Sequence, residues 1–519
     1  MADIVIINPR FDPSYWGLEH ALPLFGKRAN LPVACLPLLS ALTPEDHQVT
    51  LLDENVTPLD FDRISRADIV GVTGMSVQRF RMREILEELK TRKVFTAVGG
   101  PWVTVSEDYF GELADVIFVG EAEETWPRFL NDWSQGKHDS RYEQSTMTDM
   151  TTVPCPRYDQ IESQHYMFGS LQISRGCPFQ CEFCDIIVTF GRRPRQKTIQ
   201  QITAELEALR RTKLQTAFIV DDNLIGNKRA ITPILEHIVR WQKENGYPFT
   251  FFTQASLDLA DDPEMMELLV EANIQVVFIG VETPNEESLR ETKKVQNLRP
   301  GGSIVDKVKK VQRAGMEVWA GMIVGFDHDD ESIFDSQYEF LREARVTHAM
   351  LGMLFAIPKT PLHARLLAEK RLDLEDRSEY GTNVIPARMT REALRDGYID
   401  VMQRLNEPAA YFDRVDSLYH DPAFPFGAAQ RSYWKKHPLR RTLAGGTTLL
   451  RCAGLFVRLM RKIRDPDQRR EYRRRTAAVW RRRHDPEAVF IYLIKCAMHH
   501  HYTTFIRGMT SDNQLVNTV

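Results

Sequence analysis

Long hydrophobic runs are missing from this chain of 519 residues. The late apolar stretches at residues 455–460 and 488–498 are short and carry or adjoin Arg458, Arg461 and Lys495, whereas a spanning helix needs about 20 apolar residues in succession. No membrane span is expected. Cysteine is scarce: seven residues are too few for a disulfide scaffold in a chain this long. The N-terminus runs into the strand-like Ile4-Val5-Ile6-Ile7 rather than a basic segment, apolar stretch and cleavage site. These features set the expectation of a cytoplasmic protein with reduced thiols. A G-x-G-x-x-G after that first strand is also lacking, which disfavours a nicotinamide dinucleotide. Dispersed Gly (28) and Pro (27), with 43% hydrophobic and 27% charged residues, exclude collagen-like, low-complexity and wholly disordered chains.

What is present suits an α/β protein of two to four domains, at roughly 100 to 200 residues each. Residues 4–7, 49–52, 69–72, 94–98 and 116–119 read as buried strands, and residues 81–92 as a helix with an apolar stripe. Residues 1–135 are therefore expected to form a Rossmann-like unit with a parallel sheet. Small residues follow its strands, in Thr73-Gly74-Met75-Ser76, Gly99-Gly100-Pro101 and Gly120-Glu121, where a backbone can approach a large nucleotide-type ligand at the carboxyl edge. Residues 136–164 are polar and turn-rich and read as a linker. In residues 165–385 six strand candidates (171–174, 217–220, 249–253, 276–279, 318–324 and 349–355) alternate with helical stretches, which predicts a barrel or partial barrel. Residues 386–519 turn to helical periodicity.

A formal net charge of −4 hides an asymmetry, since residues 431–483 hold 18 Lys/Arg against Asp465, Asp467 and Glu471. Within that segment residues 449–460 suit an amphipathic helix. A solvated basic face and peripheral contact with the inner membrane surface are the two readings of this tail; nucleic acid is disfavoured. The run His499-His500-His501 is expected to serve surface or subunit packing, with no metal assigned.

Cys177, Cys181 and Cys184 stand as Cys-x-x-x-Cys-x-x-Cys directly after the first strand of the second unit. Three thiolates on one loop suit an iron–sulfur cluster or zinc, the latter calling for a fourth ligand such as Cys155 or His165. In this setting the loop resembles the signature of the radical S-adenosylmethionine (radical SAM) superfamily. The resemblance implies a partial TIM barrel, (β/α)6, whose three cysteines hold a [4Fe-4S] cube. The open iron of that cube chelates SAM, and the reduced cluster cleaves the sulfonium to a 5′-deoxyadenosyl radical. It further implies that Phe183 packs near the adenine and that Asp222, with Asp221 and Asn223 as neighbours, accepts from the SAM ammonium. Gln254, Ser256 and Glu282 would supply ribose and carboxylate contacts, and Gly325 a backbone approach to the adenine. Phe183 also reads as plain loop packing, the polar positions as ordinary strand-end caps and Gly325 as a barrel bend.

A Rossmann-like unit ahead of such a barrel resembles the cobalamin-binding radical SAM class. Gly381-Thr382-Asn383-Val384-Ile385-Pro386 and the late Cys496-Ala497-Met498-His499-His500 resemble the subgroup with hopanoid methylases. The resemblance implies cobalamin, with Thr73, Gly74, Met75 and Ser76 under the corrin. It sets Gly99, Gly100 and Pro101 near the nucleotide tail, and Gly120 and Glu121 near the corrin edge, while Trp102 either stacks or fills space. The Asp-x-His-x-x-Gly loop by which other corrinoid enzymes ligate cobalt is absent from residues 1–135. The implied activity is methylation of an unactivated carbon in a small-molecule or lipid-like substrate, polyprenoid or natural-product in type, with a flavodoxin or ferredoxin as electron donor. An oxidative cyclase of the anaerobic porphyrin type and a non-enzymatic cobalamin or iron–sulfur sensor are the alternatives.

Overall fold

The computed structural model describes residues 1–376, 378–511 and 515. Its first sheet contains β1 (Asp3–Asn8), β2 (Gln48–Asp53), β3 (Ile69–Thr73), β4 (Thr96–Gly99), β5 (Val116–Val119) and β6 (Arg141–Glu143), in the order β2-β1-β3-β4-β5-β6 and parallel throughout. β3 is buried along its whole length, as a strand covered by helices on both faces must be. Five strands match the expected ones, β4 starting two residues later than read. β6 lies where the composition suggests a linker. It is three residues long with only Tyr142 buried, too short for a hydrophobic run to betray it.

The second sheet uses β7 (Gly169–Leu171), β10 (Thr216–Ile219), β11 (Thr250–Ala255), β12 (Ile274–Glu282), β13 (Glu317–Val324) and β14 (His348–Met353), parallel and in chain order. A helix joins each strand to the next: Ile199–Arg211, Lys228–Asn245, Pro263–Glu271, Ile304–Ala314 and Ile333–Glu343. β7 and β14 end the sheet without pairing, so the barrel is partial and open on one side. The expected strand at 171–174 is divided. Only its start joins the sheet; β8 (Ser174–Arg175) pairs antiparallel with β9 (Arg195–Gln196) and closes the cysteine-bearing loop into a neck.

From residue 391 the chain is helical, and four of its helices, Pro408–Tyr419, Pro438–Lys462, Pro466–Arg483 and Pro486–Ser511, start with proline, which suits a first turn whose N–H groups lack intrahelical partners. These helices do not form a separate core: Leu394, Val401, Tyr411, Leu493 and Tyr502 pack with the barrel's outer residues in one cluster. The histidine run is interior rather than surface. His499 and His501 are fully buried, the Nε2–H of His499 donating to the Asn406 carbonyl and that of His501 to the Ser14 carbonyl. Burial lowers both imidazoles to about 3. Among the described residues, no helix is long and apolar enough to cross a membrane.

Candidate active site

The cysteine loop is fixed from beneath by two adjacent aspartates. Asp221 accepts from the Ile173 N–H (2.8 Å) and the Ser174 hydroxyl (2.6 Å), while Asp222 accepts from the Gly176 N–H at 2.7 Å. Burial pushes these carboxyls up, to about 7 and about 6. Gly176 has φ +96°, and a Cβ there would lie 3.0 Å from the Arg193 carbonyl oxygen, so the neck closes only around glycine.

Cys177, Cys181 and Cys184 are free thiols, Cys181 buried and the others partly so. The Gln296 amide nitrogen is 3.5 Å from the Cys181 sulfur and that of Asn223 is 4.0 Å from Cys177. Burial pushes the thiols of Cys177 and Cys184 up. They become good donors only when a cation offsets the desolvation, which an iron–sulfur cluster does. The candidate fourth zinc ligands stand elsewhere: Cys155 is in the field of Glu205 and Lys197, and His165 pairs with Glu162 at 3.4 Å. Among the described residues no three His, Cys, Asp or Glu side chains close around a single ion; a cube, taking one thiolate per iron, does not need them to. The donor set therefore fits the cluster.

Phe183 sits 6.0 Å from the Phe326 ring and 5.9 Å from the Lys294 ammonium. Glu282 ends β12 at a bulge with φ +67° and holds Lys294 at 2.5 Å. Ser256 bonds to Asn223 at 3.1 Å and also to Asp258. Gln254 is partly exposed on β11, two residues before Ser256. Gly325 (φ +99°) donates its N–H to Asp329 at 2.9 Å. The barrel mouth thus gathers these positions around the loop. Lys294 and Gln296, which no motif or period marks in the sequence, enter from the connection after β12.

At the first sheet's carboxyl edge, Gly100 has φ +103° and a Cβ there would meet the Thr73 hydroxyl at 2.7 Å. One at Gly120 would meet the Gln144 carbonyl at 3.0 Å, and one at Gly74 the Met82 sulfur at 2.8 Å. These glycines let loops approach one another. Pro101 opens the helix Pro101–Val105, Ser76 a single 3-10 turn, and Met75 is 51% exposed. Gly99 ends β4. Trp102 is buried and fills space against Tyr109. Glu121 is spent on protein: Arg175 at 2.9 Å, Arg195 at 3.0 Å and the Thr148 N–H at 2.7 Å. Arg175 also grips Glu123 at 2.6 Å. Neither arginine is marked by a motif.

A parallel Rossmann-like sheet set against a three-cysteine partial barrel defines a cobalamin-binding radical SAM enzyme. Three family models match: the B12 binding domain over residues 32–130, the Radical SAM superfamily over 171–337 and a domain of unknown function (DUF4070) over 360–514. The chain is 39% identical to an uncharacterized methyltransferase of Synechocystis sp., covering 79% of this chain and 77% of that protein. It is 32% identical to the hopanoid C-2 methylase of Rhodopseudomonas palustris, covering 80% and 78%. Its fold is that of OxsB, a cobalamin-dependent SAM radical enzyme (TM-score 0.60, 14% identity, 99% of this chain and 81% of that one). It is also that of the radical SAM methyltransferase TsrM from Kitasatospora setae (0.56, 17%, 71% and 75%). The chain belongs to the cobalamin-dependent radical SAM methyltransferase family. Its cofactors are a [4Fe-4S] cluster, SAM and cobalamin.

Proposed function

We propose that the enzyme methylates an unactivated carbon of a hydrophobic, polyprenoid or hopanoid-like substrate. The observation that carries this is the 32% identity to the Rhodopseudomonas hopanoid C-2 methylase across 78% of that protein. When bound, the cluster and SAM supply one-electron reductive cleavage of the sulfonium, and cobalamin supplies a carrier for the methyl group.

The chain's own residues hold and shield. Cys177, Cys181 and Cys184 are the cluster ligands, with Asn223 and Gln296 directing N–H groups at two of the sulfurs. Phe183 gives the adenine an apolar face. Asp222 keeps Oδ1 for the SAM ammonium, its Oδ2 being held by Gly176. Gln254, Ser256 and Glu282 orient the ribose and carboxylate, and Gly325 lets the backbone come close. Thr73, Gly74, Met75 and Ser76 lie under the corrin, Gly99, Gly100 and Pro101 by the nucleotide tail and Gly120 at the corrin edge. We assign Glu121 a different task, that of holding the cysteine-loop arginines against the first sheet. The division into residues 1–135, 165–385 and 386–519 follows the three tasks of corrin binding, cluster binding and capping. A flavodoxin or ferredoxin is the electron donor.

The basic tail suits contact with an anionic membrane surface. Leu439 (84% exposed), Leu450 (76%) and Trp480 (42%) stand out on the helices Pro438–Lys462 and Pro466–Arg483, both of which are rich in arginine in sequence.

The test is incubation of the anaerobically reconstituted protein with methyl-labelled SAM, a strong reductant and an extract of bacterial polyprenoids. Label should enter an apolar product. Formation of 5′-deoxyadenosine with no label in any product would reject methylation.

A further inference from the structure

The cysteine loop has two sides. Toward the first sheet, Val188 packs against that unit's core. On the side facing away, Gln180 is exposed and Pro178 and Phe179 are partly so. Along this outer stretch nearly every residue meets a different part of the chain. Pro178 lies against Gly226, where a Cβ would be 3.1 Å from the proline ring, and its carbonyl accepts from Arg192 of the neck at 3.3 Å. The Arg299 guanidinium lies 5.9 Å from the Phe179 ring. Gln296 reaches the Cys181 sulfur, and the Glu182 N–H donates to the Thr292 carbonyl at 3.0 Å.

Cys181 is buried, but its cover is thin. Gln180, one residue before it, is exposed, and Val295, one residue before its partner Gln296, is 57% exposed. Phe179 and Val295 give this surface an apolar centre. Around it stand Arg192 and Arg193 on the neck, Arg229 three residues after Gly226, and Lys293 next to Thr292, all exposed. None of these four makes an ion pair among the described residues. The neighbouring carboxylates are already engaged: Asp258 with Arg299 at 2.8 Å, Asp262 with Lys228 at 3.0 Å and Asp261 with Lys307 at 3.0 Å. A small apolar centre inside an unspent positive rim is what a brief, electrostatically steered encounter between redox proteins requires.

The basic tail lies at the other end of the barrel. Arg451 donates to Gln215, the residue before β10, and Tyr419, whose carbonyl accepts from Arg483, bonds Glu317 at the start of β13. The cysteines stand at the carboxyl ends, with Asp221 and Asp222 following β10. An electron arriving at the tail would have to cross the length of the strands, and electron transfer slows steeply with distance.

We infer that the outer side of the cysteine loop is the docking surface for the electron donor, a small acidic protein with a low-potential one-electron centre near its surface. The donor sits over Gln180 and Val295 with its carboxylates toward Arg192, Arg193, Arg229 and Lys293. One electron leaves the donor, which is oxidised, and enters the cluster, which is reduced; no bond forms or breaks and no proton crosses. The inference rests on the reading above that a flavodoxin or ferredoxin supplies the electron.

The test uses full-length, anaerobically reconstituted protein and a reduced bacterial flavodoxin as probe, with cluster bleaching followed by stopped flow. The wild-type rate should fall as salt is raised. The triple variant Arg193→Glu/Arg229→Glu/Lys293→Glu should be about tenfold slower or more at low salt, yet should accept electrons from photoreduced deazariboflavin, a small neutral reductant, within about twofold of wild type. The control Arg464→Glu/Arg473→Glu/Arg481→Glu, with the same charge change on the tail, should match wild type. A salt-independent wild-type rate, an unimpaired triple variant, an equal loss with deazariboflavin or an equal loss in the tail variant would overturn the inference. Carbodiimide cross-linking of wild type to the flavodoxin decides where a variant fails to fold: links should fall on Lys228 and Lys293, and links confined to Lys435, Lys436 and Lys462 would overturn it. Methyl-labelled SAM with deazariboflavin scores the methyltransferase reading separately. No labelled product alongside charge-dependent flavodoxin reduction sinks that reading and leaves the docking surface; labelled product with charge-blind reduction does the reverse.

Discussion

Glu121 at the end of β5 and Arg175 at the foot of the cysteine loop are 2.9 Å apart, with their side chains 2% and 8% exposed. Through this pair, and through Arg195 on the same carboxylate, the first sheet is tied to the neck from which Cys177, Cys181 and Cys184 project. A sheet that positions one cofactor is thereby locked to the loop that positions another, which fixes their separation.

Glu121→Ala is expected to cost about 3–5 kcal/mol, because it leaves the buried Arg175 with Glu123 alone and the partly exposed Arg195 without its carboxylate. Thermal unfolding of the variant measures this. A change below 1 kcal/mol would mean that the pair does not lock the two units.

Cys181→Ala should abolish both cluster assembly and reductive SAM cleavage. Iron and sulfide analysis with Mössbauer spectroscopy on anaerobically prepared protein checks the first. Stoichiometric zinc in the wild type, or a full cluster in the variant, would contradict the assignment of these ligands.

Gln296→Leu removes an N–H directed at the Cys181 sulfur and should make the cluster potential more negative while leaving iron content unchanged, since hydrogen bonds to sulfur favour the reduced, more negative cluster. A redox titration followed by electron paramagnetic resonance reads the shift; an unchanged or raised potential counts against the contact.

Glu317 links the barrel to the last helix through Lys495 at 2.5 Å. Burial alone would raise its carboxyl, but Lys495, Thr347 and Tyr419 outweigh burial and hold it below the ordinary 4.5. A depressed carboxyl adds stability above about pH 4.5 and loses it as pH falls through the folded value. Wild-type thermal stability should thus drop more steeply in acid than that of the Glu317→Leu/Lys495→Met double variant, while Lys495→Met alone is destabilised at neutral pH by about 3–5 kcal/mol. Parallel acid profiles for wild type and the double variant would show the pair to be irrelevant.

Vesicles test the tail. Full-length protein should pellet with phosphatidylglycerol vesicles at low salt and be released by added salt, and Leu450→Glu with Trp480→Glu should weaken pelleting. No pelleting with either vesicle would leave the tail a solvated basic face, and equal pelleting with neutral phosphatidylcholine would remove its charge from the contact.

Much of this enzyme is written in local pattern. Runs such as Ile4-Val5-Ile6-Ile7 and the strand at 69–73 declare themselves because a strand covered on both sides must be apolar throughout, and three cysteines at fixed spacing declare a soft-metal loop wherever it lies. β6 stayed hidden, as a single buried Tyr142 makes no pattern. So did the burial of His499 and His501, which depends on what docks against their helix. The contacts of Glu121, Lys294 and Gln296 were beyond the sequence for the same reason. The pairs of Glu121 with Arg175 and Gln296 with Cys181 are 54 and 115 residues apart, so only the packed chain decides which charge meets which and which amide meets which sulfur. Periodicity and spacing set the elements and the chemistry of the loop; desolvation and long-range pairing, which exist only after folding, set the roles of the residues around it.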